Sequence, residues 1–351
     1  MRRTPNLRIV PNARRWFVVS GLLMVLSLTA LLGRGVDLSL DFVGGSSFRV
    51  EGIAADVTPD LLRTTVEGVG VSEAVAQVSG EGAERAAIVR TESLEPDGDV
   101  ARAVRAALVQ VTGVSEVQET FVGPTWGQRI TTQSLRALIV FLLVIALYIS
   151  FRLERKMAGV AILTMFHDVL LTIGVYALVG FTVSPATVIA LLTILGYSLY
   201  DTVVIFDRVK DNAHTLGEPG RRTVPDLVNV SLNEVVYRSV NTTISSVLPV
   251  GALLFIGANV FGATTLQDLA LALFVGILAG AYSSLFLAGP LYAVWKAREP
   301  AERRRIAKVA ARETGASEEE AAAAVDASYS GRAPITTDYV RGQGRRARRR
   351  R

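Results

Sequence analysis

Apolar residues in this chain fall into two rhythms. Six long runs dominate: Trp16–Leu32, Ala137–Phe151, Ala158–Gly180, Ala186–Phe206, Val240–Ile256 and Leu269–Trp295. Each lies near the roughly 20 residues with which an α-helix crosses a bilayer. The pattern predicts six transmembrane helices. The first run follows the basic stretch Arg2, Arg3, Arg8, Arg14 and Arg15, which also fits a cleaved export signal. It is longer than a usual signal core and no small-residue cleavage site follows it directly, so an uncleaved first span is expected.

Between the first two runs the period shortens. Ser46–Gly52 alternates like a strand, and Thr58-Pro59-Asp60 opens a helix that should reach Glu67: a cap, a proline in the first turn, then an acid. Glu73–Ser79 and Arg85–Thr91 flank the turn-like Gly80–Gly82 and read as a hairpin. An amphipathic helix over Val100–Val111 stops at Gly113, and Ser115–Gly123 supplies a last strand. The order β-α-β-β-α-β is that of a ferredoxin-like split βαβ unit. The expected organisation is a tail over 1–15, transmembrane helix 1 over 16–34, an α+β domain over 35–130, helices 2–6 over 131–295, and a basic tail over 296–351.

Charge orients this plan. From Arg34 to Arg129 there are 8 basic and 15 acidic residues, a net of −7, which leaves +12 for the remainder of a chain whose total is +5. The links after the second and fourth runs carry Arg152, Arg155 and Lys156, and Arg208, Lys210, Arg221 and Arg222. Phe181–Pro185 and Gly257–Thr265, on the opposite side, carry no lysine or arginine. Basic loops stay inside, so both termini are expected in the cytoplasm and the acidic domain in the periplasm of a bacterial inner membrane protein. Half the residues are hydrophobic and only a fifth charged, which excludes a soluble enzyme. With no cysteine, and only His167 and His214 as histidines, thiolate and His-rich metal centres are excluded too. No phosphate-binding loop or nucleophile elbow appears. The pattern indicates no enzyme and no cofactor. The terminal Arg345–Arg351 stretch reads as a solvated tail or a ligand for anionic membrane lipids; ribosomal RNA is the alternative polyanion, and no specific nucleic acid is expected.

Chemistry is sought where polar groups are costly. An ionisable side chain at a helix centre costs about 2.5–3.5 kcal/mol on insertion scales. His167 and Asp168 fall in the middle of the third run, Asp201 near the inner end of the fourth, and Arg238 just ahead of the fifth. The last two helices are consecutive and antiparallel, so Asp201 and Arg238 can meet. Tyr197 and Ser198 share a helix face with Asp201, and Asn241, Thr242, Thr243, Ser245 and Ser246 line the next span ahead of Pro249. Two readings stand: an inert interhelical pair with hydroxyls as packing glue, or a proton relay. In the relay, Asp201 alternates between pairing with Arg238 and taking a proton. Asp168 leaves the helix about 100° from His167, so the two need not form one site. For His167 a structural hydrogen bond is as reasonable as a place in the relay. Gly196 and the Gly276/Gly280 pair read as close-packing positions.

Three segments carry a family resemblance: Asp41-Phe42-Val43-Gly44-Gly45 after the first span, Gly196-Tyr197-Ser198-Leu199-Tyr200-Asp201-Thr202 running on to Arg208, and Tyr237-Arg238-Ser239-Val240-Asn241-Thr242-Thr243. In this order, on this topology, the chain resembles the SecF family, the smaller of the paired SecD and SecF subunits of bacterial protein export, within the RND superfamily. The resemblance spans roughly residues 12–296. It implies a SecD partner, docking on the SecYEG channel, and use of the proton-motive force to draw preprotein across after the SecA motor has pushed it. It implies that Asp201 is the relay aspartate and Arg238 its partner, with Thr202 inside the same motif. Tyr200 stands where the family commonly has Asn. Asp41, Phe42, Gly44 and Gly45 read as a joint between first span and outer domain, since glycines accept backbone conformations closed to other residues; a plain turn is the alternative. The rival functions are a half-size RND exporter of small molecules or lipids, and a non-transporting scaffold for translocase subunits.

Overall fold

The computed structural model describes residues 5–72, 74–80, 85–214, 223–257, 264–315, 317, 319–320 and 322–323. The Arg-rich terminal stretch lies outside them. In chain order the helices and strands are α1 (Ala13–Gly33), α2 (Leu40–Val43), β1 (Gly45–Glu51), α3 (Pro59–Glu67), β2 (Ala74–Ser79), β3 (Ala86–Thr91), α4 (Asp99–Thr112) and β4 (Gln118–Val122). Then follow α5 (Pro124–Arg152), α6 (Arg155–Val179), α7 (Pro185–Asn212), α8 (Val224–Ala252), α9 (Thr264–Tyr282), α10 (Gly289–Ala297) and α11 (Pro300–Thr314). The chain divides into two compact units, one of Asp37–Ile139 with Thr182–Val188 and one of the remaining residues.

In the first unit the strands form one antiparallel sheet in the order β2-β3-β1-β4. Phe48 of β1 stands opposite Val89 of β3 and Glu119 of β4. The alternation read from the sequence puts Phe48, Val50 and Val89 into a core closed by Leu62 and Val66 of α3 and by Val104 and Leu108 of α4. The helix signals act as expected: the Leu61 N–H donates to Thr58 Oγ1 at 3.3 Å, and α4 ends on Gly113 in the left-handed region at φ 71°. The one-turn helix α2 was not foreseen. It follows Ser39, whose hydroxyl donates to Asp41 Oδ2 at 3.3 Å, and ends at Gly44.

In the second unit lie long apolar helices; across the described residues, six are long and apolar enough to cross a membrane. Two begin well before their apolar runs. The helix expected from Ala137 starts at Pro124, and the one expected from Val240 starts at Val224. A hydrophobic run marks where a helix suits lipid, whereas its start is set by a cap. For α8 that cap is Thr223, reciprocally bonded to Asp226 in a capping box, with proline in the first turn. What reads as a polar link before Arg238 is therefore largely helix. Pro249 sits inside α8, and a π-helical turn, Leu253–Gly257, follows. The last run is also interrupted, by a π-helical turn over Ser283–Ala288 that joins α9 to α10.

Burial separates these helices. In α6, in α7 and in the 267–297 segment, half of the most apolar window is buried, against 11% in α1, 6% in α5 and 17% in α8. The central three are where an ionisable group is removed from any surrounding medium. Around the start of α8 the packing is polar and specific. Asn233 Oδ1 accepts from the Leu7 N–H at 2.6 Å, and its amide donates back to the Leu7 carbonyl at 2.9 Å. Asn229 Oδ1 takes the Val10 N–H at 3.0 Å. The Val224 N–H donates to buried Glu302 Oε1 at 2.7 Å, and Arg305 pairs with the other oxygen at 3.1 Å.

Candidate functional site

The antiparallel pair α7 and α8 zips together through side chains on facing turns. Tyr197 Oη donates to the Thr242 carbonyl at 3.1 Å and lies 2.6 Å from Ser246 Oγ. Further along, Ser239 Oγ donates to Asp201 Oδ2 at 2.7 Å, and Arg238 Nη2 donates to Tyr200 Oη at 2.6 Å. The Arg238 guanidinium also lies 5.8 Å from the Tyr200 ring centroid, within cation–π range. Asp201 is buried, 6% exposed, while Tyr200 is about half exposed.

The expected meeting of Asp201 and Arg238 is therefore a meeting of neighbours rather than a direct ion pair. The carboxylate takes a serine hydroxyl and the cation takes a tyrosine. Residues 200 and 201 leave α7 about 100° apart, so one turns inward and the other reaches the surface, where the long arginine follows it. Thr242 Oγ1 donates to the Arg238 carbonyl at 2.7 Å, and Asn241 is exposed.

A second polar cluster lies deeper, around Asp168 of α6, which is 0% exposed. Its Oδ2 accepts from Ser198 Oγ of α7 at 2.6 Å and from Ser283 Oγ of the π-helical turn at 2.7 Å. Its Oδ1 lies 3.1 Å from His167 Nδ1. Although the two side chains leave the helix about 100° apart, this contact joins His167 and Asp168. Rotation about their own side-chain bonds closes the 100° between their exits. Thr202 Oγ1 lies 2.8 Å from Ser284 Oγ beside them. Ser198, on the Asp201 face by spacing, spends its hydroxyl on Asp168 instead. Ser239 stands in the arginine-bearing motif but carries no assigned role in the sequence reading; Ser283 and Ser284 are not singled out there, their only signal being a small hydroxyl in an apolar context.

Gly276 and Gly280 bring α9 against α7. A Cβ at Gly276 would collide with the Ile194 side chain, and one at Gly280 would lie 2.7 Å from Ser198 Cβ. In the sheet-bearing unit, Gly44 and Gly45 adopt φ 76° and 129°, and a Cβ on Gly45 would stand 2.6 Å from the Thr91 carbonyl oxygen. Phe42 is buried and its carbonyl accepts from Thr131 Oγ1 at 3.1 Å. Asp41 is held locally by Ser39.

Residues 103–298 match the family model described as protein export membrane protein SecD/SecF, C-terminal. A protein translocase subunit SecF of Streptomyces coelicolor is 38% identical over 333 residues, covering 93% of this chain and 87% of that protein. The chain belongs to the SecD/SecF family. Another SecF, from Mycobacterium tuberculosis, is 36% identical over 93% of this chain and 75% of its own length. A fused relative, the translocase subunit SecDF of Thermus thermophilus, is 33% identical over 85% of this chain but only 40% of itself. The crystal structure of Thermus thermophilus SecDF, described as a translocon-associated membrane protein, superposes with a TM-score of 0.71 at 31% identity. It covers 84% of this chain, while this chain spans 39% of that structure. The SecD/SecF fold, with apolar helices and a small antiparallel sheet, is thus common to both.

Proposed function

We propose that the chain is the SecF-type half of a SecD–SecF complex that uses the proton-motive force to complete preprotein translocation. As a member of this family it is a multi-pass membrane protein that works in protein translocation. The fused relative carries a SecD-type portion in the same polypeptide, which supports association with a separate SecD. The exposed polar stripe of Tyr200, Arg238, Asn241 and Ser245 fits that partner, because bare polar side chains facing lipid are costly. SecYEG would be the channel served, SecA the motor that acts earlier, and unfolded preprotein the cargo. In this reading both termini are cytoplasmic, the membrane is the bacterial inner membrane, and the ferredoxin-like α+β domain is periplasmic.

The observation that carries the relay is Asp201. It is a buried carboxylate in a membrane-spanning helix, hydrogen-bonded to Ser239 and one residue from the Tyr200–Arg238 contact. A carboxylate beside a cation keeps its charge more readily than a desolvated one. Small rotations of α7 against α8 would exchange Ser239, Arg238 and water at Asp201, and so change its proton affinity. Moving one charge through the membrane potential is worth about 2.3 kcal/mol per 100 mV, enough to shift a conformational equilibrium roughly 50-fold. Tyr197, Ser198, Thr202, Asn241 and Thr242 support the two helices rather than carry the proton. Asp41, Phe42, Gly44 and Gly45 would pass motion of the bundle to the outer domain.

The test is a pulse-chase of a secreted precursor with wild-type and Asp201→Asn complexes, with and without an uncoupler. We expect the variant to assemble with SecD and to lose the uncoupler-sensitive late stage. Uncoupler-sensitive export at the wild-type rate by that variant would remove Asp201 from the mechanism. Retention of export by every variant at Asp201 and Arg238, with loss on deletion of the chain, would favour the scaffold.

A further inference from the structure

We infer that His167 and Asp168 form a second proton-binding site, distinct from Asp201, whose accepting atom is His167 Nε2. It rests on the proton-driven reading for its use, though not for its existence. The geometry begins with Asp168, fully buried, its two oxygens occupied by Ser198, Ser283 and the His167 Nδ1 position. His167 is itself only 6% exposed, and among the described residues its Nε2 is a buried polar atom with no hydrogen-bond partner. A buried nitrogen left unpartnered is uncommon enough to need an explanation.

Among the described residues, other ionisable groups do not supply a counter-charge. Helix α1 has none between Arg15 and Arg34. From α9 come Asp268, whose backbone carbonyl accepts from Tyr176 Oη, and Tyr282, which donates to the Trp16 carbonyl and lies 3.0 Å from Ser20 Oγ. The Ser283–Ala288 turn carries no ionisable residue. Helix α10 brings Tyr292, and Lys296, which pairs with Glu299 at 3.3 Å and Glu154 at 3.8 Å. From α7 come Tyr197 and Asp201, already bonded to α8. Among the described residues, His167 is the only ion-pair partner recorded for Asp168.

Two proton counts then follow. With Nδ1–H donated to an ionised Asp168, Nε2 is a bare acceptor and the pair carries one negative charge in a buried site. A proton added at Nε2 makes an imidazolium and the pair becomes neutral, but among the described residues the new N–H has no acceptor where it now lies. Uptake therefore favours an arrangement in which α6 and the elements around it shift, or water enters, to satisfy Nε2–H. That is the property a proton-driven bundle needs: the proton is neutralising yet poorly accommodated in this conformation.

The chain has only two histidines, which makes the test direct. Full-length chain carrying His214→Gln, labelled with ¹⁵N-histidine in lipid nanodiscs, would be followed by NMR from pH 5 to pH 9. His214 is exposed and lies apart from both clusters. We expect the His167 Nε2 signal to change from bare to protonated within that range, and Asp168→Asn to abolish the protonated form. The same titration in Asp201→Asn should be unaltered, so failure of the Asp201 relay would leave this site standing. A His167 ring held in one protonation state from pH 5 to pH 9 in the His214→Gln chain would overturn the inference without any second variant. So would an Asp168→Asn chain that folds and titrates as the parent does.

Discussion

Gly280 offers a way to ask whether helix packing and the buried carboxylate act as one unit. In Gly280→Ala the added methyl would lie 2.7 Å from Ser198 Cβ, 3.0 Å from its Oγ and 3.2 Å from its Cα. Carbon atoms in contact sit about 3.5–4.0 Å apart, so Ser198 must retreat by close to an ångström. Overpacking of this kind costs about 1–3 kcal/mol. The same retreat withdraws the 2.6 Å hydroxyl from Asp168, and a hydrogen bond to a charged group contributes about 1.5–3 kcal/mol. Together the loss should reach roughly 2.5–6 kcal/mol, by those two ranges. Ser198→Gly deletes both the obstructing Cβ and the hydroxyl. In that background, of these three approaches the 3.2 Å one to the backbone remains, and Gly280→Ala should cost less than about 1 kcal/mol on this packing argument. The assay is unfolding of the purified complex in detergent for the four members of the cycle. A coupling energy of at least about 1.5 kcal/mol is expected, as for residues in direct contact. An additive cycle would refute the reasoning, since it would mean that the methyl is accommodated without touching Ser198.

Two further expectations concern the ends of the chain. Asn233→Ala removes two hydrogen bonds to Leu7, worth about 0.5–1.5 kcal/mol each. Limited proteolysis should then cut the N-terminal segment faster in the folded complex, and an unchanged rate would show that Asn229 and the buried Ile9 and Val10 suffice to hold it. Burial raises the Glu302 carboxyl above the ordinary glutamate range, against the opposing pull of the Val224 N–H and Arg305. A raised acid favours the folded state below its unfolded value, about 4.3, and that contribution is lost as pH rises through the folded value. Glu302→Gln, which keeps an acceptor for Val224 N–H, should therefore gain stability relative to wild type between pH 5 and pH 8. Melting curves at the two pH values check it, and a difference independent of pH would contradict the burial argument.

Much of this protein was legible in one dimension because the signals are local. Twenty or so apolar residues must become a membrane helix whatever surrounds them, and the order of strands and helices in the acidic domain follows from period and caps such as Thr58 and Gly113. The motif around Asp201 and Arg238 likewise stands out, since charge within apolar sequence is rare. Local signals fail where a helix outruns its apolar run, as α5 and α8 do, because polar helix and polar loop differ only in capping.

What the tertiary structure alone decided is who touches whom. Spacing placed Ser198 with Asp201, and packing gave it to Asp168 through the close approach of α7, α6 and the 283–288 turn. Proximity suggested an Asp201–Arg238 pair, yet Ser239 reached the carboxylate and Tyr200 the cation. Hydrogen bonds extend only about 3 Å, and helix rotation of a few tens of degrees reassigns them. Sequence records the angle at which a side chain leaves its own helix. The rotation of the neighbour that receives it is set by every contact along both, here including glycines some 80 residues away in the chain.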